Sequence, residues 1–182
     1  ERFGYDELVK TANNYLDGLG KGMKMDHEAP LLHESTYNVG LISYRDGVLK
    51  YQVNYRYGED VDLDEVIAKL NAMNLGTVSV FSRQQYLLVD PKSKFIKTLL
   101  TCYQEETGDK KNLPMAIGGG TYAKESKNTV AFGSHFPGRE DHIHDCNEKI
   151  HIEDLTSSIS IYAKAIYRLG LLTTGDKDET KA

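Results

Sequence analysis

The segment HIHDCNE, residues 142 to 148, gathers His142, His144, Asp145, Cys146 and Glu148 within seven residues. Imidazole, thiolate and carboxylate are the common protein donors to zinc. In an extended segment, alternation places His142 and His144 on one side, and Asp145 or Glu148 can hold an imidazole by its second nitrogen. Zinc needs three or four protein donors, and no HExxH or Cys/His pairing elsewhere in the chain completes the set. A lone histidine is more often structural than a ligand, so at this level both readings stand.

Three other stretches invite chemistry. GGGTYAK at 118 to 124 has the glycines of a phosphate loop but neither the GxxxxGK[ST] order nor the GxGxxG spacing. Its readings are a tight turn after a strand, or backbone donors offered to a carboxylate or carbonyl oxygen of a small ligand. Arg56 closes a strand in YQVNYRYGED; it is either a solvated strand end or a guanidinium fork for a substrate carboxylate. Glu105 and Glu106 form the chain's single Glu-Glu pair. They end an amphipathic helix whose apolar stripe is Leu99, Leu100 and Tyr103, which predicts that both face solvent.

Composition narrows the classes of function. The 182 residues are 40% hydrophobic and 27% charged, a globular composition long enough to bury a sizeable core. The net charge of −5 and the absence of a basic stripe interleaved with aromatics argue against nucleic acid. No apolar run approaches the roughly 20 residues that span a bilayer, so no membrane partner is expected. The N-terminus, ERFGYDELVK, is neither a signal peptide nor an initiating Met, and the chain is expected to be a piece of something longer. Cys102 and Cys146 are far apart and form no CxxC pair, which makes a disulfide framework unexpected and a reducing cytoplasm the simplest location.

The elements that must position these residues follow from periodicity. Tyr5, Leu8, Val9, Ala12, Tyr15, Leu16 and Leu19 predict a helix over 5 to 19, broken by GLGKGMK. Two β-rich runs meet at Asp46-Gly47, the chemistry of a hairpin turn. Asp62 with Glu65 is a capping-box pattern opening a helix that carries Leu63, Val66, Ile67 and Leu70. GTVSVFSRQQYLLV, from residue 76, has strand character. After DPKSK a longer helix turns Phe95, Ile96, Leu99, Leu100 and Tyr103 inward. Short strands are expected at PMAIG and TVAFG, then a helix from about 153 with Leu155, Ile159, Tyr162, Ile166 and Leu169 on its inner face. The tail from Thr173 has nothing to bury. The first part reads as a small α+β layer, and a boundary falls near residue 88.

Taken in order, these segments resemble the C-terminal part of the PepV-type dipeptidases, cytoplasmic dinuclear-zinc enzymes related to carnosinase, aminoacylase and succinyl-diaminopimelate desuccinylase. The resemblance rests on NYRY at 54 to 57, VDPKSKFIKTLLTCYQEETGD at 89 to 109, IGGGTYAK at 117 to 124, NTVAFGSHFPG at 128 to 138 and HDCNE at 144 to 148. It is weakest before residue 36. It implies an α/β zinc-peptidase catalytic domain, of which 88 to 182 is the C-terminal segment. Residues 1 to 87 correspond to the latter part of an α+β lid of the dimerisation type, an antiparallel sheet with helices on one face.

The resemblance also implies roles. His144 matches the zinc-binding histidine of HxxNE, with Asn147 and Glu148 supporting it. Arg56 matches the arginine that grips the substrate's C-terminal carboxylate, and Gly120 the glycine that meets substrate through its backbone. His27, His33, His135, His142 and Cys146 match no functional position. The family's HxD ligand motif, bridging aspartate and glutamate pair lie upstream of the lid, and no HxD occurs here. The implied reaction is hydrolysis of a dipeptide with a free N-terminus by a water shared between two metal ions, Zn2+ or Mn2+, with a glutamate as general base. No catalytic residue is assigned within this chain, which by itself is expected to be inactive, to need the N-terminal half of the same protein and to self-associate through exposed sheet edges. The alternatives are an N-acyl amino-acid deacylase like succinyl-diaminopimelate desuccinylase, and a non-catalytic association module.

Overall fold

The computed structural model of the protein describes residues 13, 17, 20 to 73, 76 to 133, 135 to 140 and 142 to 175. The helix expected over 5 to 19 and the tail beyond residue 175 lie outside the described residues, apart from Asn13 and Asp17. The fold is mixed α+β, with small antiparallel sheets and, among the described residues, three α-helices. The described residues fall into two compact units: one up to Leu88 together with Ala116–Gly120, the other Val89–Met115 together with the chain from Thr121 onward. Among the described residues, no helix is long and apolar enough to cross a membrane.

The first unit is organised by a hairpin. Strand β1 (Glu28–Ala29) pairs with β2 (His33–Glu34), and β3 (Thr36–Arg45) with β4 (Val48–Arg56), both antiparallel. At the tip of β3–β4, Asp46 and Gly47 both adopt left-handed backbone, with φ 52° and 77°, as the tight turn between twisted strands requires. The ladder runs from Thr36 opposite Arg56 to Arg45 opposite Val48, with a bulge at Gly40 between Val39 and Leu41. Below the bulge Tyr37 is buried with Met23 and Met25, and Val39, Val53 and Tyr55 pack around them. Helix α1 (Leu63–Ala72) closes this core with Val66 and Leu70. Its N-terminus is capped as expected: the Asp62 carboxylate accepts from the amides of Asp64 and Glu65.

The strand expected over 76 to 89 does not form. Its residues run without a ladder partner and are held by side chains instead: Arg83 pairs with Asp64 at 2.7 Å, Tyr86 donates to the Glu59 carbonyl and Tyr57 donates to the Gln84 carbonyl. The segments PMAIG and TVAFG likewise make no ladder. β-propensity reports fitness for a pleated, half-buried surface, and without a neighbouring strand it fixes nothing.

The second unit is a helix pair. Helix α2 (Lys94–Thr107) is capped by the Ser93 hydroxyl, which accepts from the Ile96 amide, and stops at Gly108, whose φ is 71°. It packs on α3 (Ile152–Gly175) through buried Ile96, Leu99 and Cys102 against Ile161 and Ala165. Each large aliphatic side chain buried there contributes about 1.5–3 kcal/mol.

Two expectations for this pair are corrected. The buried line of α3 is Asp154, Ser158, Ile161 and Ala165, whereas Leu155, Ile159 and Ile166 remain 48%, 63% and 74% exposed. Small Ser158 and Ala165 let the helices approach, and Ser158 satisfies its hydroxyl on the Asp154 carbonyl at 2.7 Å. The glutamates of α2 do not simply face solvent either. Glu105 takes both Arg168 nitrogens at 3.1 and 2.7 Å, and half-buried Glu106 accepts from Ser160 at 2.7 Å and Lys164 at 2.6 Å. These cations hold both carboxyls below their usual range, so the pair staples one helix to the other.

Candidate functional site

In β4, alternation turns Val53 and Tyr55 to the core, and Tyr55 fixes its hydroxyl on the Met25 carbonyl at 3.0 Å. Asn54 and Arg56 therefore leave by the other face, and both are exposed. The Arg56 guanidinium does not float free. Its Nη1 donates to the Gly118 carbonyl and its Nε to Asn54 Oδ1 at 3.4 Å. The structure thus brings Arg56 to the glycine run that contains Gly120. Gly120 itself is exposed, and a side chain there would meet no atom within 4 Å.

The histidine segment is built differently from the extended run that the sequence suggested. His142, His144 and Asn147 have left-handed backbone, with φ 53°, 62° and 61°. The Asp145 amide donates to the His142 carbonyl at 2.9 Å, closing a turn, and the Asp145 carboxylate accepts from the Cys146 amide at 2.6 Å. Alternation along a strand therefore does not align the two histidines, and Asp145 is committed to its own loop. The His142 imidazole lies 3.9 Å from Glu140. Asn and His both visit the left-handed region more readily than most residues, and these positions shape an irregular loop. His144, Asn147 and Glu148 are all exposed.

Whether these residues suit a metal can be judged from the donors alone. Among the described residues, no group of three or more His, Cys, Asp and Glu side chains gathers to hold an ion. They do not make a metal centre by themselves; His144 is one accessible imidazole.

Two features escaped the sequence. Asp109, just beyond the α2 terminus, accepts from the Tyr103 hydroxyl at 2.7 Å, the Asn112 side-chain amide at 2.7 Å and the backbone amides of Lys111 and Asn112. With the Asn112 and Tyr103 side chains leading, these donors hold its carboxyl well below the usual carboxylate range. Arg139 clasps Asp154 with Nη2 and Nε, each at 3.1 Å, and so ties together the two ends of the loop that carries His144. The GD after the helix was a readable turn signal for the first. Nothing local announces the second. An open cleft of about 420 Å³ lies between them, lined by Tyr103, Asp109, Phe136, Arg139 and Asp154 among others.

No family model matches the chain. Among curated proteins it is similar to one named "Putative dipeptidase" from Staphylococcus epidermidis, 35% identical over 174 residues, which cover 90% of this chain and 36% of the relative. A Bacillus subtilis protein named "Putative dipeptidase YtjP" is 35% identical over 154 residues, 84% of this chain and 33% of its own length. A Staphylococcus aureus protein of the same description is 32% identical over 168 residues, 89% of this chain and 36% of its own. The chain spans about a third of the length of the curated relatives it matches.

Proposed function

We propose that this chain is part of a metal-dependent dipeptidase of the PepV type, contributing a lid region and the C-terminal segment of the catalytic domain. The observation that carries this is the alignment of proteins named as dipeptidases along 84% to 90% of its length. In this reading Arg56 takes the C-terminal carboxylate of a dipeptide, the Gly120 backbone meets the substrate, and His144 is one donor to zinc or manganese with Asn147 and Glu148 beside it. The other donors and the general base come from the rest of the protein. The reaction adds water to the peptide carbonyl carbon and breaks the C–N bond. The chain's own share is to grip and orient the substrate, which is a large part of what a hydrolase must do.

Helix α3 supports the reading from another direction. Besides its buried line it carries an outward stripe of Ile152, Leu155, Ile159, Ile166, Tyr167 and Leu171. A helix apolar on two faces belongs between two layers, so further polypeptide of the same protein is the natural cover for the stripe.

The test is a panel of dipeptides and N-acyl amino acids given to the full-length protein with zinc or manganese. Hydrolysis of dipeptides with free termini is expected. Turnover of N-acyl compounds alone would replace the reading by a deacylase, and turnover of neither by an association module. The 182-residue chain alone is expected to hydrolyse nothing; dipeptidase activity of that chain, lost in His144→Ala, would mean a complete site within it.

A further inference from the structure

We infer that Gly118 and Asn54 are positioning residues for Arg56, and that together they select which edge of its guanidinium receives a carboxylate. The inference rests on the reading of Arg56 given above. A guanidinium carries five N–H donors in a planar fork, and it can take a carboxylate side-on through Nε and Nη2 or end-on through Nη1 and Nη2. Here Nε is directed at Asn54 Oδ1, 3.4 Å away, which closes the side-on edge. Nη1 donates to the Gly118 carbonyl. A Cβ built on Gly118 would stand 3.1 Å from Nη1 and 3.9 Å from Cδ, so this residue lies along the Nη1–Cδ edge. One N–H of Nη1 is thereby used, while its other N–H and both of Nη2 remain. The one two-pronged face left is the end-on fork.

The same geometry makes the arginine sensitive to a side chain at residue 118, although the backbone there needs no left-handed conformation. At 3.1 Å a methyl group would be tighter than ordinary contact with Nη1, and the guanidinium would have to tilt away from the carbonyl that holds it. Asn54 reaches Arg56 because the two leave the same face of β4, two residues apart. A long, flexible arginine would otherwise lose rotamer freedom on binding; fixing the fork beforehand removes that cost from the substrate's affinity.

The experiment uses the full-length protein and compares Gly118→Ala, Gly118→Val and Asn54→Ser with wild type on dipeptides bearing a free or an amidated C-terminus. Gly118→Ala is expected to raise KM for the free acid about threefold, less than the loss of the fork itself, and to leave the amide nearly unchanged. Asn54→Ser should shift the same ratio by a smaller factor. Arg56→Lys combined with Gly118→Ala should lose little more than Arg56→Lys alone. The Nε–H resonance of Arg56, identified by its disappearance in Arg56→Lys, reports the pre-set guanidinium without turnover and should shift and broaden in Gly118→Val. An enzyme with no dipeptidase activity would sink the functional reading and leave this resonance to judge the positioning. An active enzyme whose acid-to-amide ratio is unmoved by Gly118→Ala, or whose Arg56 resonance is unmoved by Gly118→Val, would overturn the inference.

Discussion

Arg56 and His144, the two side chains to which the proposed function gives the largest roles, are held in opposite ways. Arg56 ends a ladder of paired residues, its strand neighbours face a core, and its guanidinium is tied to Asn54 and Gly118. His144 sits on a string of left-handed residues, exposed, in a loop whose ends are joined by the Arg139–Asp154 clasp. The arginine is pre-set by regular structure within this chain. The histidine is placed by an irregular loop, and on the proposed reading a metal donor so placed gains its definition when the remaining donors engage it.

The largest effect should come from the loosely placed member. His144→Ala in the full-length enzyme is expected to lower turnover by roughly a hundredfold or more and to reduce bound metal, because the loss of a donor opens the coordination shell. His142→Ala should leave both nearly unchanged, and equal losses in metal content and turnover would erase the distinction between the two histidines. Arg56→Lys comes next. A lysine cannot form the fork, and losing one charge-assisted bond of about 1.4 kcal/mol raises KM roughly tenfold. The loss should shrink on amidated substrates; an identical loss on both would remove carboxylate recognition from Arg56.

The clasp under the histidine loop offers a third test, on stability. Arg139→Met leaves the Asp154 carboxylate, with a side chain only 10% exposed, without its guanidinium. About 1–3 kcal/mol should be lost in urea denaturation, and an unchanged midpoint would show that the loop base is held by backbone alone. The smallest effect concerns acid. Asp109, Glu105 and Glu106 all have carboxyls depressed in the folded state. Groups of this kind stabilise the fold above their ordinary pKa values of 3.8 and 4.5, and that contribution fades as pH falls through the folded values. Asp109→Asn should therefore flatten the decline in melting temperature below about pH 4, and a decline as steep as wild type would place the sensitive group elsewhere.

What could be read from the sequence was whatever has a local cause. Asp46-Gly47 specifies its turn, Asp62 and Ser93 sit where caps must sit, and the inward Ile96 and Leu99 of α2 obey a single clear period. Helix α3 defeated the same reasoning because it has two apolar stripes, and the line that is buried includes Ser158 and Ala165, whose value lies in being small. The pairing of Glu105 with Arg168 joins residues far apart in sequence, so nothing near either one predicts it. The HxxNE motif was visible in the letters, whereas its backbone was not, since alternation presumes an extended chain and His142 and His144 turn the other way. Strand-like residues over 76 to 89 had the right propensities and lacked a neighbour to pair with.

The bulge at Gly40 divides the long hairpin into two lengths of unequal permanence. On the core side, Tyr37, Val39, Val53 and Tyr55 belong to the cluster built on Met23 and Met25, so opening those pairs means disturbing the unit's interior. Beyond it, Leu41, Ile42, Tyr44, Val48 and Leu49 stand exposed, outside the buried cluster. Amide protons there should exchange with deuterium far sooner than those near Tyr37 and Tyr55, with the step falling at the bulge. Arg56 lies on the slow side, at the end farthest from the turn, where the fraying of the tip does not reach the residue that on the proposed reading must keep its aim.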